Sequence, residues 1–77
     1  MPYILKYTAT KNTWGNAVKA GETFTVVQTT NAPSGQHLAI HLRELGREIK
    51  ISSSIGSGGM NVGDSKTVNE WIIERIK

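Results

Sequence analysis

Glycine-rich loops leading to a Lys-Thr pair are a natural place to look for phosphate chemistry. Gly56-Ser57-Gly58-Gly59-Met60-Asn61-Val62-Gly63-Asp64-Ser65-Lys66-Thr67 has that outline. A phosphate loop of the form Gly-x-x-x-x-Gly-Lys-Ser/Thr wraps backbone amides around the phosphates while its Lys reaches them from a fixed distance. Here Asp64 and Ser65 separate the last Gly from Lys66, and Asp64 puts negative charge where a phosphate would sit. The spacing argues against that motif. Two looser readings remain: a flexible linker, or mobile amides at Gly58 and Gly59 that hold an anionic ligand together with Lys66.

His37 and His41 stand four residues apart with Glu44 beyond them. On a helix these share one side, a geometry that can hold a metal. No further ligand follows at a fixed spacing, so a solvated helix face is the simpler reading and no metal or cofactor is assigned. Nucleophilic catalysis needs a nucleophile, a base and an orienting acid on a rigid scaffold. The serines cluster in the loop least able to fix one, Asp64 is the only aspartate, and no catalytic residue is assigned. Trp14, between Thr13 and Gly15 in a polar stretch, either tucks over a sheet edge or makes a contact with a partner, where tryptophan is enriched. It can equally stack on a base.

Seventy-seven residues make one domain, 1–77. Such a short chain buries only about 60% of the surface its unfolded form exposes, and small domains compensate with disulfides, metals or self-association. With no cysteine, disulfides and thiolate sites are excluded. The same absence fits a reducing compartment, and Met1-Pro2-Tyr3-Ile4-Leu5-Lys6 does not read as a signal peptide, so a cytoplasmic location is expected. No apolar run approaches the roughly 20 residues a bilayer span requires. The net charge of +3 is spread thinly, and only Arg43–Lys50 is locally basic, with Glu44 and Glu48 interrupting it. A surplus of this size steers anionic partners but lacks the dense basic stripe of a nucleic-acid binder.

The elements that must position these residues follow from periodicity. In Tyr3–Thr10, Tyr3, Leu5, Tyr7 and Ala9 fall on one face of a strand and Lys6, Thr8 and Thr10 on the other, with Ile4 the exception. Thr23–Thr30 reads as a second strand with Phe24 and Val26 inward. The connection through Lys11–Gly21 is punctuated by Asn and Gly and is expected to be long and exposed. Ser34 suits a helix N-cap, Leu38, Leu42 and Leu45 with Ala39 form an apolar stripe, and Gly46 suits the left-handed residue that ends a helix. Ile40 lies nearly opposite that stripe. Glu48–Ser52 reads as a short third strand with Ile49 and Ile51 buried, followed by a flexible Ser/Gly-rich loop at about 53–66. Thr67–Ile76 reads as a closing strand, with Trp71 and Ile73 on one face and Val68, Ile72 and Ile76 on the other. A helix opened by Thr67-Val68-Asn69-Glu70 is the alternative. The fold class is α+β: a small, mostly antiparallel sheet with one amphipathic helix packed on it, in the order β-β-α-β-β.

Thr10-Lys11-Asn12, Val18-Lys19-Ala20-Gly21-Glu22-Thr23-Phe24-Thr25-Val26-Val27, Leu45-Gly46-Arg47 and Trp71-Ile72-Ile73-Glu74-Arg75-Ile76 give the chain a resemblance to small ββαββ-type proteins of gut Bacteroidetes and their mobile elements. The resemblance covers most of the chain and implies the same order of elements. The family has no assigned activity to carry over, and the Ser/Gly stretch from Ser52 to Ser65 departs from its shorter members.

Together these readings point to a non-enzymatic binding module acting by protein–protein interaction, with a phage or mobile-element origin. The alternative is sponge-like binding of a nucleotide or other phosphorylated ligand between subunits, with Trp14, Arg43, Arg47, Gly58, Gly59 and Lys66 converging on it. Weak nucleic-acid binding comes third. Because an open strand edge can pair with a second copy, a homodimer or larger assembly is expected, with Trp71, Ile73 and Ile40 at the interface.

Overall fold

Alternation in the first strand decides which side of the sheet becomes the core. The computed structural model describes residues 2–47, 55 and 58–77. In β1 (Tyr3–Ala9), Leu5, Tyr7 and Ala9 are buried while Lys6 and Thr8 point the other way. In β2 (Thr23–Gln28), Phe24, Val26 and Gln28 are buried and Thr23, Thr25 and Val27 are exposed. The helix α1 (Gly35–Glu44) follows, then β3 (Ser65–Val68) and β4 (Trp71–Arg75). The four strands form one antiparallel sheet in the order β2-β1-β4-β3, so the first and last strands of the chain are its centre. No helix among the described residues is long and apolar enough to cross a membrane.

The order β-β-α-β-β is the expected one, but the last two strands are built differently. Thr67–Ile76 is not one strand or a helix; it is part of a hairpin, with Asn69 and Glu70 joining β3 to β4. Asn69 takes φ 53°, a left-handed value that asparagine tolerates better than most side chains. The turn reverses the parity of Val68. It sits opposite Trp71 and packs towards the core, instead of sharing a face with Ile72. Ser65 and Lys66, expected in the flexible loop, belong to β3. The third strand expected at Glu48–Ser52 lies outside the described residues.

Ser34 caps α1 as expected. Its Oγ accepts from the His37 amide at 3.3 Å and lies 2.7 Å from His37 Nδ1. Gly46 takes φ +85° and its amide donates to Arg43 O, which ends the helix. Leu38, Ala39 and Leu42 are buried, but Leu45 is 56% exposed. Leu45 is the C-cap, with non-helical backbone angles, so its side chain leaves the stripe that helical geometry would have continued.

One helix cannot cover four strands, and two apolar residues from the loop complete the core: Ile55 and Met60 are buried with the sheet and helix residues. Within the stretch expected to be a flexible loop, Met60 is thus anchored, its amide donating to Asn31 O at 3.0 Å. Trp71 is fully buried at the centre, with ring centroids of Trp14, Phe24 and Tyr7 at 5.2, 6.3 and 6.4 Å. Beside it, a buried polar network joins three elements. Tyr7 OH donates to Gln28 Oε1 at 2.7 Å and accepts from the Ser34 amide at 3.0 Å. Gln28 Nε2 donates to the carbonyls of Thr30 and Ala32. Burial pushes the Tyr7 phenol above its ordinary pKa, with the bond from the Ser34 amide opposing that shift.

Replacing Tyr7 by Phe removes the hydroxyl but keeps the ring. Gln28 Oε1 and the Ser34 amide then stay buried without their partner, which costs about 1–3 kcal/mol. Urea unfolding of Tyr7→Phe is expected to show that loss as a lower midpoint with an unchanged slope.

Candidate functional site

The residues expected to gather around a ligand are distributed over the molecule. Trp14 is half-buried and lies against Trp71, not open to solvent. Its backbone is unusual: Trp14, Gly15 and Asn16 take φ values of 55°, 67° and 66° in succession, and the Ala17 amide donates back to Trp14 O. This tight turn lies inside a Thr13–Val18 bridge, and Val18 is fully buried. The connection expected to be exposed is therefore folded onto the core at this point. The left-handed turn carries Trp14 back against the Trp71 indole.

Arg47 is likewise committed to the fold. Its guanidinium donates to Ala17 O and to Glu22 Oε2, and it stacks 5.0 Å from the Phe24 ring centroid. It thereby clasps the end of the helix segment to the β1–β2 connection. Lys66 sits on the opposite edge strand, where Nζ donates to Gly58 O at 3.3 Å. Lys66 and Phe24 occupy one row across the sheet through Ile73 and Tyr7, three strand spacings or about 14 Å apart. Gly59 packs against Asn31, whose Oδ1 would lie 2.8 Å from an added Cβ. Arg43 is exposed in the last turn of α1. The expected convergence of Trp14, Arg43, Arg47, Gly58, Gly59 and Lys66 therefore does not form. Lys66 with Gly58, and Arg47 with the Trp14 turn, are two separate local contacts.

The expected interface needs a similar correction. Trp71 and Ile73 are fully buried in the chain's own core, so neither is available to another molecule. Ile40 is exposed on α1, as helical spacing indicates. His37 Nδ1 faces Ser34 Oγ, and Nε2 lies 3.4 Å from Thr29 Oγ1, while His41 packs edge-on to Phe24. Among the described residues no three metal-ligating side chains cluster.

What the structure does assemble is the other side of the sheet. The helix, Ile55 and Met60 cover one face, and among the described residues no element packs on the second. Register sorts its side chains into rows. Val27 lies opposite Ile4, and Ile76 joins Ile4 through backbone bonds, giving an apolar row. Thr25, Lys6, Glu74 and Ser65 form the next row, with Lys6 Nζ 3.4 Å from Glu74 Oε1. Thr23, Thr8, Ile72 and Thr67 form the third, where the Thr8 and Thr23 hydroxyls lie 3.2 Å apart. Val27, Ile72 and Ile76 are 61%, 41% and 45% exposed. The sequence carried half the signal for this face, in the alternation of β1 and β2. It did not show that Ile4, Val27 and Ile76, far apart in the chain, share a row.

No family model matches the chain, and neither a curated protein nor a solved structure does.

The Arg47 clasp gives a pH signature. The hydrogen bond from Arg47 is the main cause holding the Glu22 carboxyl down at about 2, with the Lys19 amide adding to it. A depressed carboxylate contributes stability that is complete above its unfolded value near 4.5 and is lost as pH falls towards 2. The melting temperature of the wild type is expected to fall more steeply than that of Glu22→Gln between about pH 5 and pH 2. Added salt should narrow the difference, because the pair is partly exposed.

Proposed function

We propose that the protein is a non-enzymatic binding module that works by protein–protein contact through the open face of its sheet, and that its partner there is a second copy of the chain. The observation that carries this reading is the apolar row of Val27, Ile4 and Ile76, with Ile72 two rows away, on a face that the helix leaves uncovered. Exposed apolar groups that share a face mark interaction surfaces more often than scattered ones do.

Charge favours a copy of the chain over a strongly charged partner. The face has one cation and one anion in its middle row, Lys6 and Glu74. Two such faces related by a twofold axis are self-complementary, since Lys6 of each copy can meet Glu74 of the other. Titratable groups elsewhere also have structural duties: Asp64 accepts from the Asn61 amide, His37 pairs with Ser34, and Glu22 pairs with Arg47. This supports binding over catalysis.

Size sets the strength of the contact. Four strands about 4.8 Å apart and about 20 Å long offer about 400 Å² per copy, so a face-to-face pair falls below the 1,200–2,000 Å² of stable complexes. The dimer is therefore weak and reversible. Sedimentation equilibrium is expected to find monomer at about 20 μM and a growing dimer fraction towards about 1 mM. Val27→Glu combined with Ile72→Glu should abolish the dimer while leaving the circular dichroism spectrum unchanged. A wild type that stays monomeric throughout, or a dimer indifferent to both substitutions, would overturn the reading.

A further inference from the structure

At one end of the sheet, where the start of β1 meets the end of β4, Pro2, Tyr3, Ile4, Arg75 and Lys77 line an open cleft of about 370 Å³. That volume lies within the range of small-molecule sites. Its chemistry is two-sided. Pro2, Tyr3 and Ile4 supply apolar and aromatic surface, while Arg75 and Lys77 are basic residues and no lining side chain is acidic.

We infer that this cleft binds small organic anions, molecules in which a carboxylate or phosphate is attached to a flat apolar body. Arg75 is already held for that task. Its guanidinium lies 4.8 Å from the Tyr3 ring centroid, Nη1 donates to Met60 O at 2.7 Å, and Nε donates to Lys77 O at 3.4 Å. Two of its five N–H groups are thus spent on fixing the plane. A planar guanidinium with its orientation set is suited to bidentate contact with a carboxylate or phosphate.

The nearby carboxylates are engaged elsewhere. Glu74 points to the opposite face and pairs with Lys6, and Asp64 accepts from the Asn61 amide. Among the described residues, neither the Arg75 nor the Lys77 side chain pairs with an Asp or Glu carboxylate. An arriving anion therefore meets side-chain cations that no lining Asp or Glu side chain offsets, beside a ring on which its body can lie. Neither the Ser/Gly loop glycines nor Lys66 is needed. The site is also independent of dimer formation, apart from the shared Ile4.

Amide chemical shifts of the full chain, titrated with phenyl phosphate, benzoate, inorganic phosphate and benzyl alcohol, test the inference. Phenyl phosphate and benzoate are expected to give saturable shifts confined to Tyr3, Ile4 and Arg75–Lys77. Inorganic phosphate should bind more weakly at the same amides, and benzyl alcohol should give no saturable shift. Whichever of phenyl phosphate and benzoate binds more tightly identifies the preferred anion. Lys77→Gln, which removes a charge without disturbing the Met60 contact, should weaken the binding about fivefold or more, and Arg75→Gln further. Lys19→Gln, at the other end of the sheet, should leave the affinity unchanged. The site would be refuted by shifts that never saturate, by shifts scattered over all the basic residues, or by equal affinity in Lys77→Gln and wild type.

Discussion

The Tyr7 hydroxyl is the point on which the architecture turns. It reaches from the central strand to Gln28 at the end of β2 and to the Ser34 amide at the start of the helix. Gln28 in turn holds the carbonyls of Thr30 and Ala32. This network decides how the chain leaves the sheet and where the helix begins. A buried donor or acceptor without a partner is costly, so the five polar groups specify one geometry together. With the helix start fixed, Leu38 and Leu42 lie over the sheet and Ile40 faces away.

A second clasp works at the far end of the helix. Gly46 turns the chain, and Arg47 reaches back to Ala17, Glu22 and Phe24. The helix is thus tied down at both ends by polar contacts and in the middle by two leucines. The Trp14 turn is part of the same end of the molecule, folded against Trp71. Residues that look available for ligands in the sequence are in use as fasteners. This is the expected economy of a domain with no disulfide and a small core, where each long side chain near the core has packing to supply.

Covering one face with one helix leaves the other to solvent, and this asymmetry organises what the protein offers to its surroundings. The open face is mixed: threonines, one ion pair, and apolar side chains gathered by register. Where two strands end together, apolar surface meets Arg75 and Lys77. Both features arise from strand pairing between the beginning and the end of the chain, β1 with β4.

Local pattern determined much of this by itself. Alternation in Tyr3–Ala9 and Thr23–Gln28 gave the buried faces of two strands, and Ser34, the leucine spacing and Gly46 gave the helix and its ends. These are effects of nearest neighbours along the chain, visible wherever backbone period and side-chain chemistry agree. Other features needed the tertiary structure. Nothing local distinguishes Asn69-Glu70 as a turn within a β-rich run until Val68 has Trp71 to face. Leu45 fits the apolar stripe by spacing, yet the helix ends before it. Trp71 and Ile73 look like interface residues until the helix, Ile55 and Met60 cover them. Arg47 and Trp14 look like ligand contacts until Glu22 and Trp71 claim them. The physical reason is common to all four: a side chain's role depends on which distant groups compete for it, and only the packed chain brings those competitors within reach.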